Sequence, residues 1–267
     1  MLFRSKALAA CSLVVRGWRP STCYHLFRSL SIRADAFING FDGFLDFVET
    51  TPSIQSYIHS LTLFGSRGAE KCLLGPYVLV SVLNFLPALK KLTLDSVSWS
   101  AALKRTRGGG TIRPGRWTVT WPPTPRAFTT LRLHSIGSYD FRSSQLTQST
   151  MQLLHVFSSL QRLEVIDITF DKKLASEMAR VEIPRHLAVQ ALFAENVHRT
   201  ESLTVPLRRT QTPKALTQLE WEVVSTYDAN ALGGLIKGSK KVIQSLTLDL
   251  HRLTREVAAG QCAFCML

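Results

Sequence analysis

Short apolar–polar–apolar phrases recur along this chain. Leu30-Ser-Ile32, Leu61-Thr-Leu63 and Leu92-Thr-Leu94 stand 31 residues apart, and Leu131-Arg-Leu133, Leu163-Glu-Val165, Leu219-Glu-Trp221 and Leu246-Thr-Leu248 follow them. Alternation of this kind sets two apolar side chains on one face of a short strand. A strand that short cannot bury its face without neighbours. Regular recurrence supplies the neighbours, so the pattern predicts a stack of repeats, each contributing one short parallel strand.

The intervals carry a second periodicity. Phe37, Phe41, Phe44, Leu45 and Val48 recur at helical spacing ahead of Leu61, with Pro52 as the expected stop. Val78, Leu79, Val82, Leu83 and Leu86 do the same ahead of Leu92, and Leu153, Leu154, Phe157 and Leu160 ahead of Leu163. Leu232, Leu235 and Ile236 precede Leu246, with Asp228 placed as an N-cap. Each strand thus has an amphipathic helix before it, the alternation of a right-handed crossover between parallel strands.

Two intervals are irregular. The 56 residues from Leu163 to Leu219 are read as one degenerate unit, a helix carrying Leu187, Leu192, Phe193 and Val197 followed by a strand at Leu203-Thr-Val205. The 39 residues from Leu92 to Leu131 contain Arg107-Gly-Gly-Gly110 and Pro122-Pro-Thr-Pro125, which no helix interior accommodates. Residues 104–126 are therefore expected to be a Gly/Pro/Arg-rich loop insertion, although retained intron sequence fits the same composition.

The net charge of +13 suggests nucleic acid until its distribution is considered. Residues 1–34 hold six Lys or Arg and no acid, residues 96–139 hold seven and no acid, and the remainder balances at nineteen against nineteen. A face built to grip phosphates would spread its cations over successive strands. These strands do not, and no nucleic-acid partner is expected.

Catalytic chemistry is equally sparse, and no enzymatic activity, cofactor or metal is expected. The seven histidines show no paired helical spacing, and no Gly-x-Ser-x-Gly elbow is present. Gly233-Gly-Leu-Ile-Lys-Gly-Ser239-Lys240 imitates a phosphate loop with Lys and Ser exchanged, and is read as a turn ending a helix. Cys262-Ala-Phe-Cys265 is a lone pair without the second pair a zinc site needs, and Cys265 is out of register for prenylation. Five scattered cysteines suit a reducing compartment, cytoplasm or nucleus. The apolar run from Ala7 to Val15 is too short to span a membrane, so no membrane partner is expected.

Leu89-Lys-Lys-Leu92-Thr-Leu94 and Leu160-Gln-Arg-Leu163-Glu-Val165 have the L-x-x-L-x-L spacing of leucine-rich repeats. The fold class expected is α/β, a leucine-rich-repeat solenoid or horseshoe of about six to eight strand–helix units. Ahead of it, Ala9-Ala10-Cys11-Ser12-Leu13-Val14-Val15-Arg16-Gly17-Trp18-Arg19-Pro20, running on to His25-Leu26-Phe27-Arg28-Ser29-Leu30, resembles the C-terminal half of an F-box. Leu13, Val14 and Trp18 match that motif's helix core, and Leu26 and Phe27 match its closing pair. Phe44-Leu45, Thr51-Pro52-Ser53-Ile54 and Tyr57-Ile58 leading to Leu61-Thr-Leu63 are similar to the opening of the F-box/leucine-rich-repeat proteins of mushroom-forming fungi.

The resemblance implies a substrate-recognition subunit of a cullin-RING ubiquitin ligase, which holds a protein substrate on its repeats. Leu13, Val14, Trp18, Leu26 and Phe27 would face the ligase adaptor subunit. The family's Leu-Pro-x-Glu opening helix is missing from the sequence as it stands, so adaptor binding is expected only where the box is completed upstream. The implied domains are a partial F-box at 1–29, repeats at 30–253 and a tail at 254–267. Two other readings stay open: a binding-only repeat protein without ligase docking, and a mitochondrially imported protein whose basic, acid-free N-terminal segment is cleaved.

Overall fold

The computed structural model describes residues 19–34, 41–65, 73–99, 125–138, 146–170 and 181–251. The protein is α/β, built on a mostly parallel sheet that does not close into a barrel. The chain divides into two compact units, Met1–Val119 and Thr120–Leu267.

The first unit runs α1 (Arg19–Phe27), β1 (Ser29–Arg33), α2 (Asp42–Thr50), α3 (Pro52–Gln55), β2 (Ser60–Phe64), β3 (Leu73–Leu74), α4 (Pro76–Phe85), β4 (Lys91–Asp95) and β5 (Ser98–Trp99). Strands β1, β2 and β4 are parallel, and the recurring phrases pair rung on rung: Leu30 with Leu61 with Leu92, and Ile32 with Leu63 with Leu94. The apolar pairs of β2 and β4 are buried, while the end strand β1 leaves Leu30 and Ile32 half-buried. Phe44, Leu45 and Val48 of α2 and Leu79, Val82 and Leu83 of α4 bury the faces their spacing predicted. Pro52 stands after the end of α2 and opens α3, where its missing N–H costs nothing. Pro76 plays the same part at the start of α4.

The second unit runs β6 (Arg126–His134), β7 (Gly137–Ser138), α5 (Leu146–Leu154), β8 (Phe157–Ile166), β9 (Ala188–Glu195), α6 (Glu201–Leu207), α7 (Thr212–Ala215), β10 (Gln218–Glu222), α8 (Thr226–Ser239) and β11 (Ser245–Asp249). Its five long strands pair in parallel in the order β6-β8-β9-β10-β11. One ladder joins Leu131, Leu163, Leu192, Leu219 and Leu246, and a second joins Leu133, Val165, Ala194, Trp221 and Leu248. Leu131, Leu133, Leu163 and Val165 are fully buried.

The degenerate unit is the main correction to the sequence reading. The segment expected as a helix instead holds strand β9, which contains Leu192 and Phe193 with Leu187 and Val197 just outside its ends, and the expected strand Leu203-Thr-Val205 lies in α6. With Leu192 as its rung, the 56-residue gap divides into intervals of 29 and 27, close to the 27 residues from Leu219 to Leu246. Two physical features misled the local reading. Ala194 is a small inward rung that hides the period-two alternation of β9. Thr204-Val205-Pro206 favours extended backbone before proline, but packing of α6 on α8 overrides that preference.

Four smaller readings are also corrected. Phe157 and Leu160 are buried, but in β8, because α5 ends at Leu154. Gly233 to Ser239 lie inside α8, not in a turn after it, so no phosphate-loop geometry forms. The N-cap of α8 is Ser225, whose side chain accepts from the Asp228 backbone N–H, and Asp228 itself is buried in the first turn. Arg126 belongs to β6, so the expected insertion stops short of it, and residues 104–124 of that insertion lie outside the described residues. Phe37, Leu13, Val14, Trp18, Cys262, Cys265 and the tail from 254 also fall outside them.

Candidate partner-binding surface

Parallel in-register strands present two faces, and side chains alternate between them. The apolar ladders take one face. In the second unit the other face shows Thr130, Arg162, Ala191, Gln218 and Ser245 in one row, and Arg132, Glu164, Phe193, Glu220 and Thr247 in the next. A third row at the C-terminal strand ends includes His134, Glu195, Glu222 and Asp249. In the first unit the corresponding positions are Ser31, Thr62 and Thr93, then Arg33, Phe64 and Asp95.

The second unit's face is electrically ordered. Arg132 Nη1 lies 3.5 Å from Glu164 Oε2, and Arg162 Nε donates to Glu164 Oε1. The Arg162 guanidinium also sits 5.5 Å from the ring centroid of Phe193, at cation–π range. Cations therefore lie on β6 and β8. The outward positions of β9, β10 and β11 carry Glu195, Glu220, Glu222 and Asp249 and no lysine or arginine. Both arginines are exposed, so these ion pairs shape the surface more than they stabilise the fold.

The loops leaving the strands are also repeated. Ser96, Ser135, Asp167 and Asn196 each follow a strand directly and each has positive φ, between 50° and 55°. Asp and Asn tolerate this left-handed geometry better than most residues. Side chains tie successive turns together in the second unit: Asn196 Nδ2 donates to Asp167 Oδ1 at 2.7 Å, His134 Nε2 is 3.1 Å from Asp167 Oδ2, and the Asn196 backbone N–H donates to Glu222 Oε2 at 2.7 Å. In the first unit Gly65 follows β2, and a Cβ there would lie 1.9 Å from the Ser96 carbonyl oxygen, so only glycine permits the approach.

Of the residues expected to face the ligase adaptor, Leu26 and Phe27 form the half-buried last turn of α1, which leads directly into β1; Leu13, Val14 and Trp18 lie outside the described residues. Sequence reasoning missed Asp167, Asn196 and Glu222. Their signal was a polar residue within two positions after most of the apolar phrases, visible only once the rungs are aligned. His155, at the turn into β8, has its pKa lowered from 6.5, chiefly by burial and further by neighbouring His186, against an opposing pull from the Glu182 charge.

Among the described residues no group of three His, Cys, Asp or Glu side chains is placed to hold a metal, and no helix is long and apolar enough to cross a membrane. Comparison with protein-family models, with curated proteins and with solved structures finds no match.

Proposed function

We propose that this chain is the substrate-recognition subunit of a cullin-RING ubiquitin ligase, holding a protein substrate on a leucine-rich-repeat array and docking to the ligase through its F-box-like N-terminal segment where that box is completed upstream. The observation that carries this reading is the register itself. Phrases spaced about a repeat apart pair rung on rung within each unit and leave a strand face outward there, and in the second unit the chemistry of that face suits protein recognition. The docking half of the proposal rests on the resemblance of residues 9–30 to the C-terminal half of an F-box. Substrate capture needs no catalytic residue, because ubiquitin transfer belongs to other subunits of such a ligase.

The test is capture of the gene product, tagged at its C-terminus, from the cells that make it. Recovery of the ligase adaptor and a cullin supports the proposal. Recovery of other partners with neither ligase subunit refutes docking and leaves the binding-only reading.

A further inference from the structure

Strand β11 differs from every other strand of the second unit. All five of its residues are exposed, and among the described residues nothing pairs with its far side. The rungs before it, Leu219 and Trp221, are each 1% exposed, whereas Leu246 is 45% and Leu248 38% exposed. Ser245 N donates to Thr217 and Asp249 O accepts from Val223, so both point toward β10. By strand alternation the N–H and C=O groups of Leu246 and Leu248 point to the open edge. An exposed edge with unpaired backbone groups and apolar side chains is a template for another strand.

We propose that β11 is a docking edge that accepts an extended segment of a partner protein as one more strand, with apolar residues beside Leu246 and Leu248 and basic residues on the outward side beside Asp249. Charge complementarity selects this occupant. The outward positions of β9 to β11 are acidic toward their C-terminal ends, while Lys240 and Lys241 precede β11, so the partner's cations belong near Asp249. Strands lie about 4.8 Å apart, which keeps Glu222 as well as Asp249 within a Debye length of the added strand. The inference rests on reading the chain as a protein-binding array and gives its partner a chemistry.

The probes are two fluorescent hexapeptides, Val-Thr-Val-Lys-Val-Lys and Val-Thr-Val-Glu-Val-Glu, titrated against the full chain by fluorescence polarisation. The global charge of +13 favours the glutamate peptide, so a preference for the lysine peptide reports the local face. The expected result is about ten-fold or tighter binding of the lysine peptide. Leu248→Pro removes an edge N–H while leaving the bonds to β10, and should abolish that binding. Leu248→Lys, which keeps the backbone intact, should abolish it too. Equal affinity for the peptides, a preference for glutamate, or binding that survives both variants overturns the proposal. So does the absence of peptide binding, whether sedimentation shows the chain as a dimer or as a monomer. Adaptor capture is read separately, so an edge that ignores peptides in a chain that still recovers adaptor refutes the edge alone.

Discussion

At the scale of single residues, Leu163, Asp228 and His155 carry predictions of different kinds. Leu163 is fully buried between Leu131 and Leu192 on one ladder. Leu163→Ala leaves a cavity between two rungs and should cost about 2–5 kcal/mol, measured by denaturant unfolding. Asp228 is a buried carboxylate whose Oδ1 accepts from the Thr200 N–H at 3.0 Å and hydroxyl at 2.8 Å, and whose Oδ2 accepts from the Ser225 hydroxyl at 2.6 Å. Asp228→Ala strands these donors and should cost about 1–3 kcal/mol, with strong coupling to Thr200→Val in a double-mutant cycle. His155 binds its proton less readily when folded than when unfolded, where its pKa is near 6.5. The stability it contributes is complete above 6.5 and is lost as pH falls from 6.5 through its depressed folded value. The gap in melting temperature between pH 7.5 and pH 5.5 should narrow in His155→Gln, about these two pH values bracketing the ordinary histidine range; an unchanged gap would show that other groups cause the acid loss.

At the scale of elements, the repeated turn is as much a part of each unit as its strand and helix. Gly65→Ala tests this, because the added Cβ would meet backbone, the Ser96 carbonyl oxygen at 1.9 Å, not a movable side-chain tip. The strand ends must separate, and the expected cost is about 1–3 kcal/mol, read as a drop in denaturation midpoint with native-like circular dichroism. A neutral outcome would mean that the turns do not pack at this spacing. Most strands were legible because Leu-x-Leu alternation is unambiguous where both rungs are large, as at Leu61, Leu92 and Leu163. The β9 strand was not, since a rung as small as Ala194 gives no alternation signal. Only the ladder through Leu163, Leu192 and Leu219 identifies it. Asp228 misled for a related reason. Residue type marks a helix start, but the choice between Ser225 and Asp228 as cap depends on Thr200, 28 positions earlier in the chain.

At the scale of the molecule, the outward strand face and the N-terminal segment divide the proposed labour between them. The composition of the face was readable from the sequence, but its polarity was not, because cations on β6 and β8 and acids on β9 to β11 become neighbours only through strand pairing. Substrate recognition on that face and docking through the F-box-like segment should therefore separate by mutation. The most direct measurement is quantitative capture of the tagged gene product and its Arg162→Glu variant, read for adaptor, cullin and other bound proteins. Arg162 touches Glu164 and Phe193 at the surface and is exposed, so its replacement should leave the fold intact. The wild type should recover adaptor, cullin and a bound protein, and Arg162→Glu should keep the two ligase subunits and lose the bound protein. A wild-type capture without adaptor or cullin would contradict the proposal.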